Sequence, residues 1–367
     1  MKKLLLIFSA CFLYNAVIHG QLLSKESGQN KFAIYGNAEA VYVSNKEQKS
    51  FTDINFKPIF LWKISDKLFV EAETEIETGD GVVNFGLEYA NMNYIVNQYL
   101  ILHAGRFLPK FGAYRGRFAE GFLNRFASNP AGFGDGGIGA SVETGFGALG
   151  SLPFGDVKVL YDVYVVNGPH LLTDSANQGQ FDYEAYTSNN NDQAYGGRLA
   201  ILPLSNSSLE VGFSLQHKAK TGDLGTIDEK VSLDMQAVDL NYYTSIQPIK
   251  STLRIIGEFR HQKVGNNAVY TKPDGTDFSF TNSPSCYYAM GSLRPSLLEN
   301  KFLRNIEVAV RSSYFKRPVN APWGGSNIRS TEIALDYWLN WNSLLKISYQ
   351  NRSDALNTVY AQVVFGF

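Results

Sequence analysis

Residues 69–81 read FVEAETEIETGDG, with Glu71, Glu73, Glu75 and Glu77 at every second position and Val70, Ala72, Thr74 and Ile76 between them. A helix would scatter the four carboxylates around its circumference, whereas a strand, whose side chains alternate, collects them on one side. The segment is therefore read as a strand with one acidic and one apolar face. Like charges two residues apart on a strand stand roughly 7 Å apart and repel, so the acidic face is expected to be wet.

The same alternation recurs along the chain. It predicts sixteen strands, at 32–43, 52–64, 67–78, 82–95, 98–107, 138–147, 157–166, 195–203, 208–219, 232–244, 251–263, 285–296, 304–316, 330–341, 344–353 and 357–367. An even number of strands, each long enough to cross a bilayer when tilted, is the plan of a bacterial transmembrane barrel. The last strand is the clearest: Val359, Ala361, Val363, Phe365 and Phe367 point one way, and Thr358, Tyr360, Gln362 and Gly366 the other. A closing amphipathic strand with a terminal Phe resembles the assembly signal of outer-membrane barrels, and assigns Phe367 to recognition by the barrel-assembly machinery.

The connectors give an independent test. If the first strand runs outward, the inner turns at 65–66, 96–97, 204–207 and 342–343 are short, 148–156 is a long inner turn, and the outer loops 108–137, 167–194 and 264–284 are long. Short inner and long outer connections are the barrel rhythm. Phe32, Trp62, Tyr243, Trp341, Phe365 and Phe367 gather at the inner rim as an aromatic girdle. The expected fold is all-β: a transmembrane antiparallel β-barrel of about sixteen strands. A secreted β-sandwich would also alternate, but would need a buried core that many of these strand faces lack.

Composition agrees. Aromatic residues make up 14% of the chain, while the mean hydropathy is only −0.16; lipid-facing residues diluted one to one by lumen-facing ones give this mixture. The formal net charge of −1 leaves no basic surplus for nucleic acid. The opening MKKLLLIFSACFLYNAVIHGQ has the layout of a signal peptide over 1–20, followed by a short periplasmic segment over 21–31 and the barrel over 32–367. Removing the leader leaves Cys286 alone and no intramolecular disulfide. The expected location is the outer membrane of a Gram-negative bacterium, among lipid and lipopolysaccharide.

The barrel reading turns the four glutamates toward the lumen, with Lys57 across the Ser65–Asp66 hairpin opposite Glu73 or Glu75. The third outer connector, GRFLPKFGAYRGRFAEGFLNRF, carries Arg106, Lys110, Arg115, Arg117 and Arg125 against the single Glu120. Folded into the lumen, it would bring these cations toward the acidic wall and set up a charged constriction; left outside, it would meet lipopolysaccharide phosphates. Parity also turns Arg254 and Arg260 inward, on the far side of the ring. Other inward charges are mixed in sign: Arg198, Lys218, Arg311, Lys346 and Arg352 against Glu143, Asp162, Glu210, Glu258, Glu307, Glu332 and Asp336.

HAGRFLPKFGAYRGRF at 103–118 and LYDVYVVNGP at 160–169 resemble segments of the phosphate-selective porin O/P type. The resemblance implies a sixteen-stranded, trimeric diffusion channel. The chain departs from that pattern by inserting Lys110 before Phe111–Gly112 and by placing four glutamates where phosphate selection needs a basic run.

No enzyme constellation emerges: His103 and His217 read as isolated strand residues, His261 follows Arg260, and His170 lies in a loop. Asp174, Asp182, Glu184 and Asp192 have no calcium-loop order and read as a solvated loop. Neither a cofactor nor a metal is expected. The sequence thus predicts a porin that passes small hydrophilic solutes or ions. The alternative is a surface adhesin or receptor scaffold using its outer loops.

Overall fold

A computed structural model describes residues 31–79, 82–134, 136–174, 176–265, 268–271 and 275–367. The predicted signal peptide and nearly all of the segment 21–31 lie outside the described residues.

Twenty strands follow in chain order: β1 (Phe32–Ser44), β2 (Lys49–Lys63), β3 (Leu68–Gly79), β4 (Val82–Asn97), β5 (Leu100–Phe107), β6 (Glu143–Phe154), β7 (Val157–Val166), β8 (His170–Leu171), β9 (Phe181–Asp182), β10 (Ala194–Leu202), β11 (Leu209–Lys218), β12 (Leu233–Ile246), β13 (Ser251–Val264), β14 (Tyr270–Thr271), β15 (Asp277–Phe278), β16 (Ser285–Arg294), β17 (Ile306–Lys316), β18 (Ile328–Trp338), β19 (Ser343–Arg352) and β20 (Thr358–Gly366). Sixteen of them form one closed antiparallel barrel, each paired with its neighbour in sequence and β20 returning to β1. The pairs β8–β9 and β14–β15 are small hairpins in the outer loops. Closure removes every sheet edge, so each strand has a partner on both sides.

The period-two pattern sorts the side chains inside out. Leu199, Phe213, Leu215, Val308, Val310, Ile333, Leu335 and Ile347 are exposed on the outer surface, while Arg198, Glu258, Arg311, Glu332 and Lys346 are buried within. Such an outer surface suits hydrocarbon rather than water. The fold is a transmembrane barrel of the outer-membrane type. The six rim aromatics named above are all exposed on it.

Two local expectations are corrected. The segment 148–156 is not a long turn: β6 runs on to Phe154 and a tight turn at Gly155 (φ +63°) leads into β7. Gly147, Ala148, Gly150 and Ser151 weaken the apolar alternation without breaking the ladder. Residues 138–142, expected as strand, belong instead to the long connection between β5 and β6, which turns into the barrel.

Candidate pore and constriction

The β5–β6 connection is held inside the barrel by the strands opposite. Gly112 N–H donates to Ser214 Oγ at 3.0 Å, and the N–H groups of Ala113 and Tyr114 donate to Glu258 Oε2 at 2.9 and 2.8 Å. Further along, Arg125 Nε donates to Glu307 Oε1 at 2.9 Å, Arg311 donates to Ser128 O at 2.8 Å, Ala131 N–H donates to Ser313 Oγ at 3.0 Å, and Ser128 Oγ donates to Glu332. Lys346 Nζ reaches Gly121 O at 2.7 Å. These are charge-assisted bonds for the most part, formed in a water-poor interior where leaving one unmade is costly. Gly112 is required: at φ +67° a Cβ there would stand 1.8 Å from a Glu258 carboxylate oxygen.

Apolar packing completes the attachment. Tyr114, Phe118, Phe126, Phe133 and Ile138 of the loop form a buried cluster with Ile256, Tyr288, Met290, Phe315 and Ile328 from the inner faces of β13, β16, β17 and β18. One side of the lumen is therefore largely filled by packed side chains. The larger polar cavity lies on the other side, against β1 to β4.

There the loop and the wall enclose a cavity of about 380 Å³. Seven carboxylates line it, Glu39, Asp53, Glu75, Glu77, Glu88, Glu120 and Glu184, against three cations, Lys57, Arg115 and Lys346. Lys57 Nζ sits 2.8 Å from Glu75 and 3.3 Å from Glu120. Arg115 lies 2.5 Å from Glu88 and 3.9 Å from each of Glu120 and Glu184. A second cavity of about 260 Å³ shares Arg115, Ala119, Asn129 and Glu184 with the first, so the two meet at that arginine.

The acidic row divides at this point. Glu75 and Glu77 line the larger cavity. Glu73 is buried, and Glu71 accepts from Tyr35 Oη at 3.0 Å and Tyr89 Oη at 2.9 Å. The expectation of one uniformly wet face is corrected accordingly. The division coincides with a bulge: the β3–β4 register shifts between Glu73 and Thr74, leaving Glu88 as an extra residue on β4 and turning both Glu88 and Tyr89 inward.

The predicted cations also separate by environment. Arg117 leaves the acidic wall and binds Glu210 at 2.6 Å, where Arg198 joins it at 2.8 Å. Lys110 is half-buried, and burial lowers its pKa from the ordinary lysine value against the pull of Asp162. Arg106 donates to Glu88 O and Glu184 O, and its guanidinium stacks over Tyr186. Arg254 stacks over Phe118; Arg260 pairs with Glu258 at 2.6 Å and donates to Ile138 O at 2.6 Å. The structure thus brings all these side chains inside the ring, but Arg106, Arg125, Arg254 and Arg260 secure the folded loops.

Sequence reasoning missed Glu39, Asp53, Glu88 and Glu184 as cavity residues. Glu184, read as part of a solvated loop, is drawn inward and accepts from Ser141 Oγ at 2.7 Å. Two histidines read as isolated gain carboxylate neighbours across strands: His217 lies 2.7 Å from Asp234 on the outer face, and His103 lies 3.9 Å from Asp162 inside.

Solved structures share this architecture. The outer membrane channel DcaP of Acinetobacter baumannii superposes with a TM-score of 0.58 at 12% identity, covering 92% of this chain and 97% of that one. OmpF of Salmonella typhi, in a complex with daunomycin, gives 0.57 at 13% identity over 92% and 98% of the two chains. An anion-selective porin from Comamonas acidovorans gives 0.53 at 12% identity over 92% and 99%. No protein-family model matches the chain, and no curated protein matches it in sequence. The fold is that of the outer-membrane porins.

Proposed function

We propose that the protein is an outer-membrane porin, a passive channel for small hydrophilic solutes or ions with a charged constriction formed by the β1–β4 wall and the inward-folded loop. The observation that carries this reading is the polar cavity beside the loop, with seven carboxylates facing three cations, in a barrel whose other side is largely filled by packed side chains. Rows of charge at a narrow point set which solutes pass. Membership of the O/P type rests on the segments 103–118 and 160–169; phosphate itself suits this cavity poorly, because anions meet more carboxylates than cations there. The homotrimer, the lipopolysaccharide contacts and the recognition of Phe367 by the assembly machinery belong to the same proposal. Planar-bilayer recording on the refolded full-length chain tests it: discrete ohmic conductance steps are expected, and a correctly folded barrel that passes no current would overturn the reading.

A further inference from the structure

The membrane-facing side of the barrel is charged at one end only over much of its circumference. Along β10 to β13 and β16 to β18, the charged side chains of outward parity among the described residues are His217, Asp234, His261, Lys263, Lys316 and Arg329. All stand near the strand ends from which the long outer loops leave, and the opposite ends of these faces carry none. A charge facing lipid is costly at mid-membrane and costs little at the interface, and Asp and Glu are tolerated better than Lys and Arg. Tolerance alone would therefore admit acids at least as readily as bases. Asp234 is the acid of the set, and His217 holds it at 2.7 Å. Lys263 and Lys316 are exposed and pair with no carboxylate among the described residues.

Beside these cations the outer surface is dented. The register row Val163, Gly197, Leu215, Gln236, His261 crosses β7, β10, β11, β12 and β13, and the next row outward runs Tyr195, His217, Asp234, Lys263. Gly197 leaves a gap in the first row, where a Cβ would stand 2.5 Å from Asp162 O. The exposed side chains of Val163, Leu199, Phe213 and Leu215 surround that gap, and the resulting groove of about 700 Å³ extends to His217, His261 and Lys263. An apolar groove is thus continuous with a cationic edge at the outer-leaflet end.

We infer that this surface seats the lipid A portion of lipopolysaccharide, with an acyl chain in the groove at Gly197, a phosphate at Lys263 and His261, and neighbouring phosphates at Lys316 and Arg329. Charge complementarity selects the occupant: the outer leaflet presents phosphates at this height, and basic side chains donate charge-assisted hydrogen bonds to them. The basic β5–β6 connection, the other candidate for those phosphates, is folded into the lumen. The inference deepens the porin reading, whose lipopolysaccharide contacts it locates, and rests on it for the outer-membrane setting; conduction does not enter.

The test uses the refolded full-length barrel in neutral detergent, with bisphosphorylated hexa-acyl lipid A, its dephosphorylated form, phosphatidylglycerol and inorganic phosphate as probes. Binding is read by native mass spectrometry and by the temperature at which the barrel loses its folded mobility on gels. The bisphosphorylated lipid should stay bound and raise that temperature, and the other probes should do so far less. Lys263→Gln should weaken binding about fivefold, the scale for one basic side chain at an anionic lipid surface, and Lys263→Arg should restore it. Val163→Trp fills the groove without touching a charge and should also weaken binding. Both positions are exposed on the outer surface, so the variant barrels should fold. Equal effects from phosphatidylglycerol or inorganic phosphate, or binding unchanged in both variants, would overturn the inference. So would a loss of oligomer in the variants with lipid binding intact, which would make this face an interface between copies. Each of these results leaves the conductance of the channel as it was, so failure here is separate from failure of the porin reading.

Discussion

Gly112 shows how much of the inward loop's attachment depends on a single backbone position. Its N–H and the two that follow are spent on Ser214 and Glu258, and its left-handed φ brings the chain against the Glu258 carboxylate. Gly112→Ala should push the loop off this anchor at a cost of about 1–3 kcal/mol. The expected outcome is faster protease cleavage within 108–142 and a lower unfolding midpoint, with the barrel still assembled; unchanged protease resistance would show that the anchor is not needed. At Arg115 the effect is on permeation. A unit charge roughly 10 Å away in water shifts an ion's energy by about 0.4 kcal/mol, a factor near two. Arg115→Gln should therefore raise cation permeability and lower anion permeability about twofold each, so that their ratio rises about fourfold, read from the reversal potential in a salt gradient. The sequence showed Arg115 as a loop cation. It could not show Glu88 beside it, because the bulge that turns Glu88 inward interrupts the alternation by which inward residues are recognised. A trace was present: Val83, Phe85 and Leu87 keep one parity, and Ala90, Met92 and Tyr94 take the other.

Among the elements, β3 carries the charge row that made the fold legible. Changing Glu71, Glu73, Glu75 and Glu77 together to Gln preserves size and parity. It removes charges that repel each other and relieves the buried carboxylate of Glu73, against the loss of the Lys57–Glu75 pair and a weakening of the two tyrosine hydrogen bonds to Glu71, so the net change in stability should be small. Relative cation permeability should fall, most at low ionic strength where screening is weakest. Failure of the quadruple variant to assemble, with single changes leaving conductance alone, would make the row structural. The strands were readable because each carries its own period-two signal. The loop's destination was not, because its partners lie far along the chain: Ser214 is 102 residues from Gly112, and Lys346 is 225 from Gly121. The packed half of the lumen was hidden for the same reason: nothing in the sequence marks Tyr288 and Phe315 as the partners of Tyr114, Phe126 and Phe133.

For the whole molecule, the ring closes where β20 meets β1, and Phe367 fastens its end. Phe367 N–H donates to Gly36 O at 3.0 Å, Gly36 N–H returns to Phe367 O at 3.0 Å, and the Phe367 ring stacks on Phe56. Deleting Phe367 removes this reciprocal pair along with the rim aromatic. The expected result is less heat-modifiable barrel in the outer membrane and more unassembled chain in the periplasm; wild-type levels on unheated gels would count against the role. The closure also bears on the proposed constriction. Gln362 and Glu39 meet across the joint between the chain's two ends, so a barrel stalled before β20 pairs with β1 would leave the charged wall open at that seam. On the proposed function, discrimination would then be gained only with completed assembly, and an unfinished barrel would betray itself as an indiscriminate leak.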